Sequence, residues 1–86
     1  MALIFTNRFK KAYQRLPPTI QNKVKKALRL LVENPKHPSL HIKRIQGTDK
    51  IFEGRIDLKY RFSFEYDNED ILLRNVDNHD ECLKNP

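Results

Sequence analysis

Two hydrophobic periods divide the chain. Up to residue 33 apolar positions recur every three or four residues, and beyond residue 40 they alternate. The opening run "ALIFT" (2–6) predicts a short first strand. Thr6 or Asn7 is suited to cap a helix. Phe9, Ala12, Tyr13 and Leu16 then recur at helical spacing and predict a helix over 7–16. Pro17 and Pro18 end it, and Pro18 also suits the first position of the next helix, where a missing N–H costs nothing. In that second helix Ile20, Val24, Ala27, Leu28 and Leu31 form one apolar stripe, with Lys23, Lys25, Lys26 and Arg29 off it. "ENPKHP" stops it, because Pro35 disfavours helical geometry at Asn34. So short a connection predicts a hairpin of two antiparallel helices.

The period-two part begins at "LHIKRIQ", followed by the turn "GTDK". "IFEGRIDL" (51–58), "YRFSFEY" (60–66) and "DILLRNV" (70–76) read as three strands separated by short polar turns, of which "DNED" is the clearest. The tail "HDECLKNP" is expected to add a helical turn. The expected class is α+β: one domain, 1–86, ordered β-α-α-β-β-β, with a helix hairpin on one face of a mostly antiparallel four-stranded sheet.

Pleating assigns faces. Phe52, Ile56 and Leu58 share a face with Gly54, while Glu53, Arg55 and Asp57 share the other. Phe62 and Phe64 must join the apolar face, under the helices and against Val24, Leu28 and Leu31. Residues directly opposite in an antiparallel pair share a face, so a three-residue loop at 57–59 is required. It sets Arg55 opposite Arg61 and Glu53 opposite Ser63. In the next hairpin Tyr66 should face Ile71 and Phe64 should face Leu73, which extrapolates to Ser63 opposite Arg74 and Arg61 opposite Val76. The face away from the helices would carry Arg55, Arg61 and Arg74, with His79 at its rim. Opposed arginines repel. Either Glu53, Glu65 or Asp57 neutralises them, or function sets them there.

Charge sharpens this picture. The 86 residues carry a net +6, but residues 1–50 hold 12 Lys/Arg against 2 Asp/Glu and residues 51–86 hold 5 against 9. A first half at +10 points to a polyanion or an acidic protein as partner. One cysteine, Cys82, precludes an internal disulfide framework, and a reducing cytoplasm is expected. The N-terminus has the wrong charge order for a signal peptide, and no apolar run reaches membrane-spanning length. Three scattered histidines lack zinc-ligand spacing, and two glycines make no phosphate loop, so no metal and no cofactor is expected.

Several segments, taken in order, resemble the RelE/ParE superfamily of bacterial toxin–antitoxin toxins. "FTNRFKKAYQRLPPTIQNKVKKALRLLVENP" is similar to that family's Lys-rich helical hairpin, and "HIKRIQG" to the strand that follows. "EGRIDLKYRFSFEY" resembles its arginine-bearing hairpin, and "LLRNVDNHDECLKNP" its terminal strand and His segment. The resemblance covers most of the chain and implies the RelE-like fold. It also implies a cognate acidic antitoxin with which the toxin forms a hetero-oligomer, and one of two activities. The RelE branch cleaves mRNA on the ribosome; the ParE branch inhibits DNA gyrase without cutting RNA. His79 matches the C-terminal histidine of the ribonuclease branch, Arg61 the arginine after Tyr60, and Arg55 the earlier arginine. Leu58-Lys59, Asp80 and Leu83 depart from the family pattern.

The implied chemistry needs no metal. A ribose 2′-OH attacks the neighbouring phosphate, with a base, an acid and cations for the developing charge. Arg61 and Arg55 suit the charge, and His79 suits proton transfer. Asp57, Glu53 and Lys59 stand as complements to His79. Lys43, Arg44, Lys59, Arg74, Lys25 and Lys26 are expected to hold RNA phosphates. His37, in a proline loop, and His41, at the start of a strand, are weaker functional candidates than His79, and Cys82 is expected to be incidental.

Overall fold

The structure is a computed structural model and describes residues 2–86. Its elements are β1 (Leu3–Phe5), α1 (Asn7–Gln14), α2 (Pro18–Glu33), a 3-10 turn (Pro38–Leu40), β2 (Lys43–Arg44), β3 (Phe52–Arg55), β4 (Tyr60–Asp67), β5 (Asp70–Asn78) and α3 (His79–Lys84). The sheet runs β1-β5-β4-β3-β2, with β1 parallel to β5 and every other pair antiparallel. It has five strands rather than four. The added one is β2, a two-residue piece of the alternating "LHIKRIQ" segment, paired with β3 through Lys43 opposite Glu53.

Local chemistry sets the helix boundaries. Thr6 Oγ1 accepts from the Phe9 N–H at 3.1 Å and donates to the Leu73 carbonyl at 2.8 Å, so one hydroxyl caps α1 and ties it to β5. The helix ends at Gln14, two residues short of expectation, and Pro18 opens α2 as expected. Phe9, Val24, Leu28 and Leu31 close with Phe62, Phe64, Ile71 and Leu73 into one core. The aromatic alternation of β4 is therefore borne out, with Phe62 and Phe64 fully buried beneath the hairpin.

The β3–β4 hairpin has the expected register: Arg55 opposite Arg61, Gly54 opposite Phe62, Glu53 opposite Ser63. β3 is shorter than predicted. Residues 56–59 turn instead of extending, and Leu58 stands 82% exposed at the tip. In β4–β5, Tyr66 meets Ile71 and Phe64 meets Leu73 as expected, but the register then shifts between Phe64 and Ser63. An extra residue on β5 brings Ser63 opposite Asn75 and Arg61 opposite Asp77, in place of Arg74 and Val76. The shift lets Val76 join the core under Phe62.

The tail forms the expected helical turn and extends it over His79–Lys84. Asn78 Oδ1 accepts from the Glu81 N–H at 3.0 Å and starts α3, which covers the second face of the sheet and buries Cys82 on the side of Ser63. Its end is held by Asn75 Nδ2 to the Asn85 carbonyl (2.9 Å), by Arg74 Nε to the Pro86 carbonyl (3.1 Å), and by Arg8 to both carbonyls.

Candidate functional site

On the α3 side of the sheet, beyond the start of that helix, lies a cleft of about 390 Å³ lined by His41, Ile42, Lys43, Glu53, Arg55, Arg61 and His79. β3 and β4 supply the arginines by register, β2 supplies Lys43, and α3 supplies His79 as its first residue. All three catalytic candidates and one RNA-binding candidate of the sequence reading thus share one cleft.

Arg61 is 8% exposed. Its Nη1 donates to the Tyr60 carbonyl at 2.9 Å and to the Asp57 carbonyl, so its guanidinium is fixed by backbone. Among the described residues neither Arg55 nor Arg61 has a carboxylate within ion-pair reach, and the buried Nε of Arg55 has no partner. The neutralising alternative therefore fails. Asp57 pairs with Lys23, Glu65 with Arg74 and Lys50, and Glu53 with Lys43 at 3.8 Å. Three cations of the cleft face one carboxylate, Glu53, which is 5% exposed.

His79 is half-exposed. Its N–H donates to the Lys59 carbonyl at 2.6 Å, and its Nδ1 lies 3.3 Å from Asp80 Oδ1. His41 is the residue that sequence reasoning missed. It does not begin a strand. It closes the 3-10 turn in left-handed geometry (φ 44°), its N–H donating to the Pro38 carbonyl at 3.2 Å, and so reaches the cleft. Hydrophobic periodicity carries no signal for such a placement. His37 caps the 3-10 turn, its Nδ1 accepting from the Ser39 N–H at 3.2 Å, and does not line the cleft.

Of the three complements to His79, Asp57 is engaged. Burial alone would raise its pKa, but hydrogen bonds from the Lys59 N–H, Lys23 and the Tyr60 N–H, with the Lys23 charge, leave it below 3.8. It stays ionised and fully bonded at neutral pH. The exposed Lys59 lies on the turn outside the cleft lining, which leaves Glu53 as the cleft's carboxylate.

Arg44 continues the basic surface into an adjoining hollow with Lys43, Gln46 and Leu83. Arg74 does not belong. The β5 bulge turns it to Glu65 Oε2 at 2.8 Å and to the tail. Lys25 and Lys26 are exposed on α2, across the sheet from the cleft. Burial pushes the Cys82 thiol up to about 11, so it stays protonated and inert. Among the described residues no group of three His, Cys, Asp or Glu is placed to hold a metal ion, and no helix is long and apolar enough to cross a membrane. The cleft offers cations for a phosphate and two imidazoles for protons.

No family model matches this chain, and neither does any curated protein. Solved structures do. A YoeB/ParE toxin from Agrobacterium tumefaciens superposes with a TM-score of 0.75 at 18% identity, over 92% of this chain and 99% of the other. The toxin–antitoxin complex RelB–RelE from Methanococcus jannaschii gives 0.74 at 21%, over 91% and 92%. The E. coli DinJ–YafQ complex gives 0.76 at 12%, over 92% of each chain. The chain has the RelE/ParE fold.

Proposed function

We propose that this chain is the toxin of a toxin–antitoxin pair and acts as a metal-independent endoribonuclease that cleaves mRNA on the ribosome. The observation that carries the reading is the cleft, where two histidines meet two arginines, neither arginine paired with a carboxylate among the described residues, on a RelE/ParE fold. Arg55 and Arg61 bind the scissile phosphate and stabilise the charge that builds on its oxygens. One imidazole takes the 2′ proton while the other protonates the leaving 5′ oxygen, so the upstream fragment ends in a 2′,3′-cyclic phosphate and the downstream fragment begins with a 5′-OH. Lys43 and Arg44 extend the phosphate track along the sheet edge. An acidic antitoxin holds the basic protein in check in the cytoplasm, as the complexes with RelB and DinJ suggest.

The test is primer extension on mRNA with the purified protein, with and without ribosomes. Cleavage should need ribosomes and be bell-shaped in pH. His79→Ala and His41→Ala should each remove one limb and slow cleavage roughly 100-fold, the usual scale for one acid–base group. If the protein leaves mRNA intact but blocks gyrase supercoiling, the ribonuclease reading falls and the ParE-type activity replaces it.

A further inference from the structure

Asp57 is spent on a local task that the cleft depends on. Its Oδ1 accepts from two successive amides, Lys59 N at 2.8 Å and Tyr60 N at 2.9 Å. This Asx geometry shapes the turn between β3 and β4. Its Oδ2 meets Lys23 Nζ of α2 at 3.1 Å, anchoring the turn to the helix layer. The same turn carries the two carbonyls that hold the cleft: Asp57 O accepts from Arg61 Nη1, and Lys59 O accepts from the His79 N–H.

We infer that Asp57 is a positioning residue of this cleft, its carboxylate fixing the turn whose carbonyls aim the Arg61 guanidinium and seat His79 at the start of α3. The inference rests on the ribonuclease reading only for its catalytic consequence. A free arginine side chain samples many rotamers, and the Asp57 carbonyl selects one of them. Chemistry that depends on a near-attack geometry is sensitive to that choice, since a displacement of about 1 Å costs on the order of 100-fold in rate. Lys23 thereby touches the cleft from the opposite face of the sheet, through a carboxylate that never meets substrate.

Arginine- and amide-resolved NMR of the free protein tests the positioning without any activity. In the wild type, Arg61 should show slowed guanidinium rotation, and the His79 amide should be protected from exchange. Asp57→Ala should average the Arg61 signals and lower His79 protection about 10-fold or more, with core methyl signals unchanged. Asp57→Asn, which retains the Oδ1 acceptor, should restore both, and Lys23→Met should fall between. On ribosomes, Asp57→Ala should lower single-turnover cleavage roughly 10- to 100-fold with little change in ribosome affinity, and Asp57→Asn should recover most of it. Should Asp57→Ala unfold, Asp57→Ser, whose hydroxyl accepts more weakly from the same amides, should give an intermediate loss. Unchanged Arg61 and His79 signals in Asp57→Ala, or no recovery in Asp57→Asn, would overturn the inference. Wild-type protein that never cuts RNA overturns the ribonuclease reading instead, and the NMR comparison still decides the role of Asp57.

Discussion

Arg61 lies within the aromatic run of β4 yet faces away from its apolar side. Backbone carbonyls rather than a carboxylate hold it, so its full charge remains available to a phosphate. If that charge acts mainly in the transition state, Arg61→Ala should lower single-turnover cleavage roughly 100-fold while ribosome binding changes little. Arg61→Lys should recover only part, because a point charge lacks the planar fork that bonds both carbonyl and phosphate. Cleavage by both variants at the wild-type rate would remove Arg61 from the site. Alternation was enough to place Arg61 and Arg55 side by side, since the pleat has only two faces. It was blind to His41, whose position follows from a positive φ after a proline-initiated 3-10 turn. It also left Asp57 among the proton carriers, because a side chain's bonds to its own turn are invisible to periodicity.

At the scale of elements, the β3–β4 hairpin was legible through one parity argument, and the β4–β5 hairpin only as far as Leu73. Past that point the extra residue at the bulge cancels parity, and nothing in "LLRNV" announces it. What fixes it lies elsewhere in the chain: Arg74 meets Glu65 and the Pro86 carbonyl, and Asn75 meets the Asn85 carbonyl. α3 was legible only as a helical turn for a related reason: six residues show too little period to display a buried face, and its Cys82 looked incidental. Gly54 is the sharpest test of the hairpin. It sits opposite Phe62, and a Cβ at 54 would overlap that ring, which is fully buried and has nowhere to retreat. Gly54→Ala should therefore destabilise the fold by about 1–3 kcal/mol or more, the scale of overpacking, against a smaller stabilising effect of lost glycine freedom in the unfolded chain. Denaturant unfolding at constant slope should read this directly. A variant as stable as wild type would mean that Phe62 is not pinned over β3.

The whole molecule separates its charge by layer. Among the described residues, Lys23 is the one cation of the helix hairpin paired with a carboxylate, and Lys10, Lys11, Arg15, Lys25, Lys26 and Arg29 are exposed without one. The cleft lies across the sheet, with cations of its own. The +10 first half was legible from counting, but its division from the cleft needed the fold, because helix and strand lysines look alike in sequence. A two-sided toxin would hold the ribosome with the hairpin and mRNA with the cleft. On the proposed ribonuclease reading, Lys25, Lys26 and Arg29 would serve affinity rather than chemistry. Removing one cation that neutralises a phosphate should reduce the slope of log affinity against log salt by about 0.7–0.9. Replacing all three by Gln should then lower that slope by roughly 2–3. Ribosome affinity should drop most at low salt, while cleavage at saturating ribosomes stays near wild type, since none of the three lines the cleft. Lys43→Gln is the contrast: it leaves the hairpin intact, should lower the slope by the amount of a single phosphate, and should also slow cleavage, because Lys43 faces Glu53 inside the site. Equal slopes for wild type and the triple variant would show that the hairpin does not meet nucleic acid, leaving its charge to a protein partner.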